Sequence, residues 1–340
     1  MISRLDNHFS FRQQHSFLTG KPYVPEKNVF LLNHCRSAIL LALQSAGLPE
    51  GSGVGVMAYN CCTVMNAVEQ AGYTPVFLDV TDDLKLDGQD LMRKSELMSA
   101  LIVTHLFGIV NDVRQIKASL PDLVVIEDCA HAYGIEHLYG DFAAFSIGKG
   151  KFPSIGDGGM LKVLNDRFLE GVEVRYNGLS GYTRVQVAAL FLRMCIKSLL
   201  ESRVFYGWLT LPLKNRRKPN SGKEHIELMR MCRGISAIYG SEKQDLPEII
   251  GQRRCNAMEM AADFPQESGQ TLVGSNGFML VVRCSHPTVL RAEYKKKGVE
   301  TDTHFKHCLK WAAAFGYLPG DCPNTEKIVQ QLLMVPTYQR

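Results

Sequence analysis

Polar residues that can act in catalysis follow three apolar segments whose composition is typical of buried strands. The segments are ALIVTH (100–105), LVVIED (123–128) and FAAFSI (142–147). Hydroxyl, imidazole, carboxylate and amine groups lie at or just after their ends: Thr104, His105, Glu127, Asp128, His131, Ser146, Lys149 and Lys151. Ligands of open α/β sheets bind outside the carboxyl ends of the strands, so these residues are the first candidates for a site.

A lysine beyond one strand, with an aspartate at the end of the preceding strand, is the pattern that pyridoxal 5'-phosphate (PLP) chemistry needs. The amine of Lys151 would form a Schiff base with PLP, and Asp128 would keep the pyridine nitrogen protonated. A protonated ring withdraws electrons from the carbanion that forms when an amino acid loses its α-proton. Ser146 and backbone N–H groups are candidates for binding the phosphate. The pattern is common, however, and a structural aspartate with a surface lysine fits it too.

Five segments between residues 29 and 165 resemble, in order and nearly in spacing, the DegT/DnrJ/StrS family of PLP-dependent sugar aminotransferases, which have the aspartate aminotransferase (type I) fold. They are PVFLDV (75–80), LKLDGQDL (84–91), VTHLFG (103–108), VIEDCAHAYG (125–134) and FSIGKGKFPSIGDGGML (145–161). Weaker similarity covers most of the remaining chain, except about 182–225. The resemblance implies transfer of an amino group from an amino acid, with glutamate as the expected donor, to a nucleotide-linked keto-sugar. Polysaccharide or natural-product biosynthesis is the implied setting.

The resemblance also assigns roles to single residues. Lys151 matches the Schiff-base lysine of the family, and Asp128 matches the partner of the pyridinium. His131 stands where the family has Gln or His near the ring hydroxyl, and Ser146 matches the serine that binds the cofactor phosphate. Related sugar dehydratases have histidine in place of the lysine, so Lys151 favours transamination.

Two positions depart from the family pattern. The phosphate-binding turn, usually Ser-Gly-Thr, is filled by His34, Cys35 and Arg36. Backbone N–H groups at Cys35 and Arg36 can still bind phosphate, and the Arg36 guanidinium can add charge-assisted hydrogen bonds.

The second departure concerns the aromatic residue that stacks on the PLP ring. Cys61 stands at this position, and Tyr59 and Tyr133 are the alternatives for the stacking ring. The Asn-Tyr-Arg segment by which the neighbouring subunit reaches the phosphate is not recognisable near residue 182. The resemblance still implies a homodimer, because sites of this fold lie between subunits.

Helical and strand patterns alternate from residue 29 to about 165, which predicts an α/β fold with a mostly parallel sheet flanked by helices. Helices are predicted at 37–47 and 63–72, and a strand at 278–284 followed by a helix at 286–297 indicates a smaller C-terminal α+β domain. We therefore expect an N-terminal arm (1–29), a large PLP-binding domain (30–225) and a small domain (226–340).

The segment 185–213 is strongly apolar, yet Arg193, Lys197 and Glu201 recur every four residues and mark one polar helical face. This pattern predicts an amphipathic helix that packs on its own domain or on a dimer partner. The basic loop 214–223 that follows leaves peripheral contact of about 185–218 with a membrane surface as the alternative.

Composition argues against nucleic-acid-binding, metal-binding and secreted proteins. A net charge of +4, dispersed along 340 residues, gives no nucleic-acid footprint. Ten cysteines without a C-x-x-C pair or a zinc-like His cluster predict reduced thiols, no metal site and a cytoplasmic location. The first twenty residues lack the apolar core of a signal peptide.

The sequence leaves three functional alternatives to an aminotransferase. The first is a PLP-dependent sugar dehydratase. The second is a non-catalytic binding protein that keeps the PLP fold, which the altered phosphate turn and Cys61 favour. The third is a membrane-surface enzyme that acts on a lipid-linked sugar.

Overall fold

The computed structural model describes residues 9–202, 222–265, 267 and 269–337, and its larger sheet has seven strands. The strands are β1 (Val29–Leu32), β2 (Gly53–Met57), β3 (Thr74–Leu78), β4 (Ala100–Thr104), β5 (Val124–Cys129), β6 (Phe142–Ser146) and β7 (Gly159–Val163). Their order across the sheet is β1-β7-β6-β5-β4-β2-β3. Strands β2 to β6 pair in parallel, whereas β7 is antiparallel to both neighbours. The prediction of a mostly parallel sheet is confirmed.

The central strands are apolar throughout because both faces of the sheet are covered. Every residue of β4 and β5 is buried. In β4, Ala100 and Ile102 belong to one hydrophobic core, while Leu101 and Val103 belong to the other. This alternation follows from the period of two residues in a strand. Continuous apolar runs are what a parallel sheet between two helix layers requires.

Helices on both faces of the sheet complete this layer structure. They are α1 (Phe11–Thr19), α2 (Cys35–Ser45), α3 (Cys62–Gln70), α4 (Gly88–Lys94), α5 (Val113–Ser119), α6 (Leu169–Asn177) and α7 (Arg184–Leu200). Short 3-10 turns lie at Ser95–Leu97, Leu106–Gly108 and Asp166–Phe168. The helices predicted at 37–47 and 63–72 are confirmed as α2 and α3, which begin and end one or two residues earlier.

A second, antiparallel sheet lies in the C-terminal part of the chain. Its strands are β8 (Gln270–Val273), β9 (Met279–Arg283) and β10 (Leu332–Pro336), in the order β10-β9-β8. The accompanying helices are α8 (Arg233–Glu242), α9 (Leu246–Ala262), α10 (Pro287–Lys296), α11 (Cys308–Ala313) and α12 (Pro323–Ile328). The strand and helix predicted at 278–284 and 286–297 are confirmed as β9 and α10.

Helix α7 is the start of the predicted amphipathic segment. A capping box fixes its first turn, because the Thr183 hydroxyl accepts from the Gln186 N–H and the Gln186 side chain accepts from the Thr183 N–H. Residues 203–213 of the segment and most of the basic loop that follows lie outside the described residues. None of the described helices is long and apolar enough to span a membrane.

Candidate active site

A cavity of about 550 Å³ opens at the carboxyl ends of the parallel strands. Its walls include the ends of β4, β5 and β6, the loop after β2 and the first turn of α2. All six residues predicted to form the site line it: Cys35, Arg36, Asp128, His131, Ser146 and Lys151. The fold thus brings together residues that lie more than 110 positions apart in the sequence.

Asp128 forms the buried acidic wall of the cavity. One carboxylate oxygen accepts a hydrogen bond from the Thr104 hydroxyl at 3.1 Å, and the other accepts from the Ala130 N–H at 3.0 Å. The Cys35 thiol lies 3.8 Å from this second oxygen. Burial raises the pKa of Asp128 although both hydrogen bonds act in the opposite direction. A cationic group opposite this carboxylate would hold it ionised.

Lys151 and His131 contact each other directly inside the cavity. The distance between Lys151 Nζ and His131 Nε2 is 2.6 Å. Burial lowers the pKa of His131 well below its usual range, so the imidazole is neutral. Its Nδ1 atom accepts from the Phe107 N–H at 3.2 Å, which assigns the ring proton to Nε2.

This tautomer has a consequence for the lysine. A protonated Nε2 can only donate, so the Lys151 amine must offer its lone pair and be neutral in this contact. Burial lowers the pKa of Lys151, which acts in the same direction, and the nearby Cys61 and Asp128 charges offset only part of it. A neutral amine is the nucleophilic form of a lysine.

Aromatic rings fix the His131 imidazole in place. Three phenylalanine rings stack on it with centroid distances of 5.0–5.8 Å and interplanar angles of 13–27°: Phe107, Phe278 and Phe305. Of these, Phe305 also lines the cavity. Because Phe278 and Phe305 come from the C-terminal part of the chain, the site depends on both parts of the fold.

Donors that could bind an anion lie where α2 begins. The backbone N–H groups of the first turn, at Cys35 and Arg36, have no acceptors within the helix, and the preceding His34 gives no side-chain cap. Ser146 is buried, and its hydroxyl lies 3.3 Å from the Gly148 N–H. A Cβ atom on Gly159 would lie 2.3 Å from the Cys35 nitrogen, so only glycine lets β7 approach the start of the helix so closely.

Cys61 lines the cavity at the start of α3, whereas the two tyrosines considered for the stacking position do not. The Tyr59 hydroxyl donates to the His304 carbonyl, and Tyr133 bonds to the Tyr239 hydroxyl at 2.8 Å. Hydrogen bonds to the Cys61 sulfur, first from Cys62 and also from Thr63, lower the pKa of this thiol to about 5 in spite of burial. Cys61 is therefore more acidic than an ordinary thiol and lies in the wall of the cavity.

Two neighbouring candidates lie elsewhere. His105 is fully buried, bonded through Nε2 to Glu127 at 2.9 Å, and does not line the cavity. Lys149 lines the cavity, but its ammonium forms an ion pair with Glu201. Of the two lysines, Lys151 is the one whose amine faces His131.

Several lining residues were not assigned to the site from the sequence: Asn60, Asp157, Tyr182, Gln186, Arg193 and Lys197. For two of these residues, Arg193 and Lys197, the sequence did contain a usable signal. They belong to the polar face predicted for α7, and in the structure this face is turned toward the cavity rather than toward solvent alone.

The layered sheet, with a lysine and a buried aspartate at its carboxyl edge, defines a PLP-dependent enzyme of the type I fold. Residues 20–188 match the model of the DegT/DnrJ/EryC1/StrS aminotransferase family. A pleiotropic regulatory protein of Geobacillus stearothermophilus is 32% identical over 316 residues, which cover 88% of this chain and 77% of that protein. The chain belongs to the DegT/DnrJ/EryC1/StrS aminotransferase family.

Other similar proteins match the chain over only part of their length or in fold. A GDP-perosamine synthase of Escherichia coli O157:H7 is 34% identical over 142 residues, which cover only 39% of each protein. The aminotransferase TlmJ of Streptoalloteichus hindustanus has the same fold, with a TM-score of 0.73 at 17% identity, and the match covers 99% of this chain and 93% of that chain.

The donor set of the cavity fits PLP, the cofactor of this family. A buried carboxylate that needs a cationic partner, a neutral amine and a hydroxyl beside a helix N-terminus lie around one space. Its volume falls within the range of about 300–1,000 Å³ typical of small-molecule sites. Asp128 would hold the ring nitrogen, Lys151 the carbonyl carbon, and Ser146 with the first turn of α2 the phosphate.

Proposed function

We propose that the protein transfers an amino group from an amino acid, with glutamate as the donor, to a keto-sugar linked to a nucleotide. The observation that carries this proposal is the contact of 2.6 Å between Lys151 Nζ and His131 Nε2 in the cavity that Asp128 lines. The names of relatives support the substrate class, since a GDP-perosamine synthase and a dTDP-amino-sugar transaminase are among them. Polysaccharide or natural-product biosynthesis is the setting we propose.

Bound PLP supplies an electrophilic carbonyl and an electron-withdrawing ring. The residues of this chain supply the proton transfers and the positioning. Lys151 Nζ removes the proton from the α-carbon of the amino donor and returns one on the sugar side of the reaction. Asp128 would keep a proton on the ring nitrogen, and the Thr104 hydroxyl, which donates to the carboxylate, orients it for this role. His131 keeps the lysine amine neutral and in place.

We also propose a homodimer of cytoplasmic chains, each divided near residue 225 into a large and a small domain. Exposed apolar side chains on α7, namely Val185, Leu192 and Leu199, form a surface that a second subunit could cover. The free state of all ten cysteines fits a reducing compartment. Light scattering of the purified protein measures the mass of the assembly directly.

A non-catalytic role is the second candidate, and one observation favours it. The relative that aligns over most of the chain at 32% identity is named a pleiotropic regulatory protein. Cys61 at the stacking position adds to this alternative. The contact of the buried Lys151 amine with His131, in a cavity that Asp128 also lines, argues against it, because burying polar groups together in one cavity costs stability.

Borohydride reduction of the purified protein, followed by peptide mapping, tests the proposal. We expect the reduced cofactor on Lys151, and we expect the tag to persist in a Lys149→Gln variant and to vanish in Lys151→Gln. Incubation with glutamate should then convert the bound cofactor to its amine form. A protein that carries the tag on another lysine, or that holds PLP but accepts no amine from any amino acid, would contradict an aminotransferase.

A further inference from the structure

Helix α7 places two cations in the wall of the cavity. Arg193 and Lys197 lie one helical turn apart, at a rise of about 6 Å, and both side chains line the cavity. Like charges at this spacing repel each other within a helix, so the pair costs stability unless an anion faces it. Both residues lie beyond the family match, which ends at residue 188.

The charges around this pair are only partly balanced by the protein. Asp157 accepts a hydrogen bond from Arg193 at 2.6 Å, and Glu201 pairs with Lys149. The side chains of Arg36 and Lys197 form no hydrogen bond or ion pair with any other described residue. Two of these four cations therefore have a carboxylate partner within the described part of the chain, and two do not.

The environment of Lys197 favours an external anion. The side chain is half-buried, and burial, followed by the nearby Lys149 and Arg193, lowers the pKa of its ammonium, although Asp157 and Glu201 offset part of this effect. An anionic ligand would reverse this effect. Arg193 has five N–H donors, of which one bonds to Asp157, so its guanidinium can bind a ligand without losing that partner.

The position of α7 is fixed by close packing on the loop that follows Lys151. A Cβ atom on Gly156 would lie 2.7 Å from Cε of Met194, so glycine at this point lets the helix approach the loop. Met194, the residue after Arg193, is buried. Arg193 and Lys197 are thus held at the cavity by a docked element.

We propose that Arg193 and Lys197 form a subsite for the diphosphate group of a nucleotide-linked substrate. The pair lines the same cavity as the corner at the start of α2, where Ser146 and the first N–H groups of the helix are the candidates for binding the cofactor phosphate. This inference rests on the proposed function, because it presumes a substrate that carries a diphosphate. It assigns recognition of that group to a helix whose two cations lie outside the family match.

Calorimetric titration of the cofactor-loaded protein with uridine, guanosine and thymidine diphosphates tests the subsite. We expect Lys197→Gln and Arg193→Gln each to weaken binding of the preferred nucleotide by about tenfold, the effect of losing one charged hydrogen bond. Lys197→Arg should keep most of the affinity, since the charge remains. Arg184→Gln, on the same helix but outside the cavity lining, is the matched control and should bind as the wild type does.

Further measurements separate the alternatives. Nucleotide affinity equal to that of the wild type in both glutamine variants, or no binding by the wild type, overturns the proposal. Weakened binding of glutarate alone would assign the cations to the amino donor, and lower cofactor content per chain would assign them to the cofactor phosphate; either result also overturns it. The two proposals can also fail separately. If the glutamine variants lose nucleotide affinity but borohydride reduction attaches no cofactor to Lys151, the subsite is supported and the proposed amino transfer is not.

Discussion

Lys151 Nζ lies 2.6 Å from His131 Nε2, and the Phe107 N–H occupies the other ring nitrogen at 3.2 Å. These two contacts set the protonation of both side chains. The neutral imidazole must carry its proton on Nε2, so the lysine accepts it as a free amine. The Phe107 N–H thereby favours, through His131, the neutral and nucleophilic form of the Lys151 amine.

The first prediction concerns this amine. We expect Lys151 to react with acetic anhydride, in cofactor-free protein, at a lower pH than an ordinary lysine, because burial lowers its pKa. Lys149 is the matched control, since Glu201 pairs with its ammonium. Labelling of each peptide between about pH 7 and pH 10 measures both titrations by mass spectrometry. Parallel titration of the two lysines would refute a neutral Lys151.

Much of the site was predictable because it follows a local rule. Asp128, His131, Ser146 and Lys151 lie at or shortly after the ends of apolar strands, and parallel strands bring their carboxyl ends to one edge. Apolar runs of strand length, bounded by turn residues, are enough to find such strands. The edge strand β1 was not predicted, because its four residues, VFLL, are too few to show a period.

The rest of the site depends on tertiary packing. Arg193 and Lys197 were recognised as a polar helix face, yet no local pattern tells whether such a face meets solvent or a cavity. Tyr59 lies near the site in sequence but bonds to the His304 carbonyl, while Phe305, from the far end of the chain, lines the cavity. Contacts between segments that are distant in sequence decide which of these side chains line the cavity. Such contacts cannot be read from a single sequence.

The second prediction concerns the buried carboxylate. We expect Asp128→Asn to lower the rate of amino transfer by about a hundredfold or more, because the neutral amide cannot hold a proton on the ring nitrogen. Thr104→Val removes one hydrogen bond from the ionised carboxylate and should cost about tenfold. Single-turnover kinetics with glutamate measure both effects.

The Thr104 variant also has a pH signature. Loss of a donor to the charged form raises the pKa of Asp128 further, so the acid limb of the rate profile should move to higher pH. A variant that is slower at every pH, with an unchanged profile, would show that Thr104 acts only on packing.

The third prediction concerns Cys61. Because hydrogen bonds from Cys62 and Thr63 lower its pKa to about 5, this thiol should react with iodoacetamide at about pH 6, where ordinary thiols are protonated. Cys62→Ala removes the strongest of these donors and should slow the labelling. Exposed Cys255 controls for access of the reagent. Labelling of Cys255 ahead of Cys61 at this pH would contradict a thiolate in the cavity.

The fourth prediction concerns stability and pH. Burial, together with the cations Arg36 and Arg193, lowers the pKa of His34 to about 4. Between its usual value of 6.5 and about 4, the unfolded chain binds a proton that the folded chain does not. The contribution of His34 is therefore complete above pH 6.5 and is lost as the pH falls through this window.

Denaturant unfolding of the wild type and of His34→Gln measures this contribution. Between about pH 7.5 and pH 5.5, the free energy of unfolding of the wild type should fall by about 1 kcal/mol more than that of the variant. His131, whose pKa is also lowered, and Asp128, whose pKa is raised, titrate in both proteins and cancel in the difference. Equal losses in the two proteins would show that His34 titrates normally in the folded state, and the electropositive corner at the start of α2 would then lack the field inferred for it.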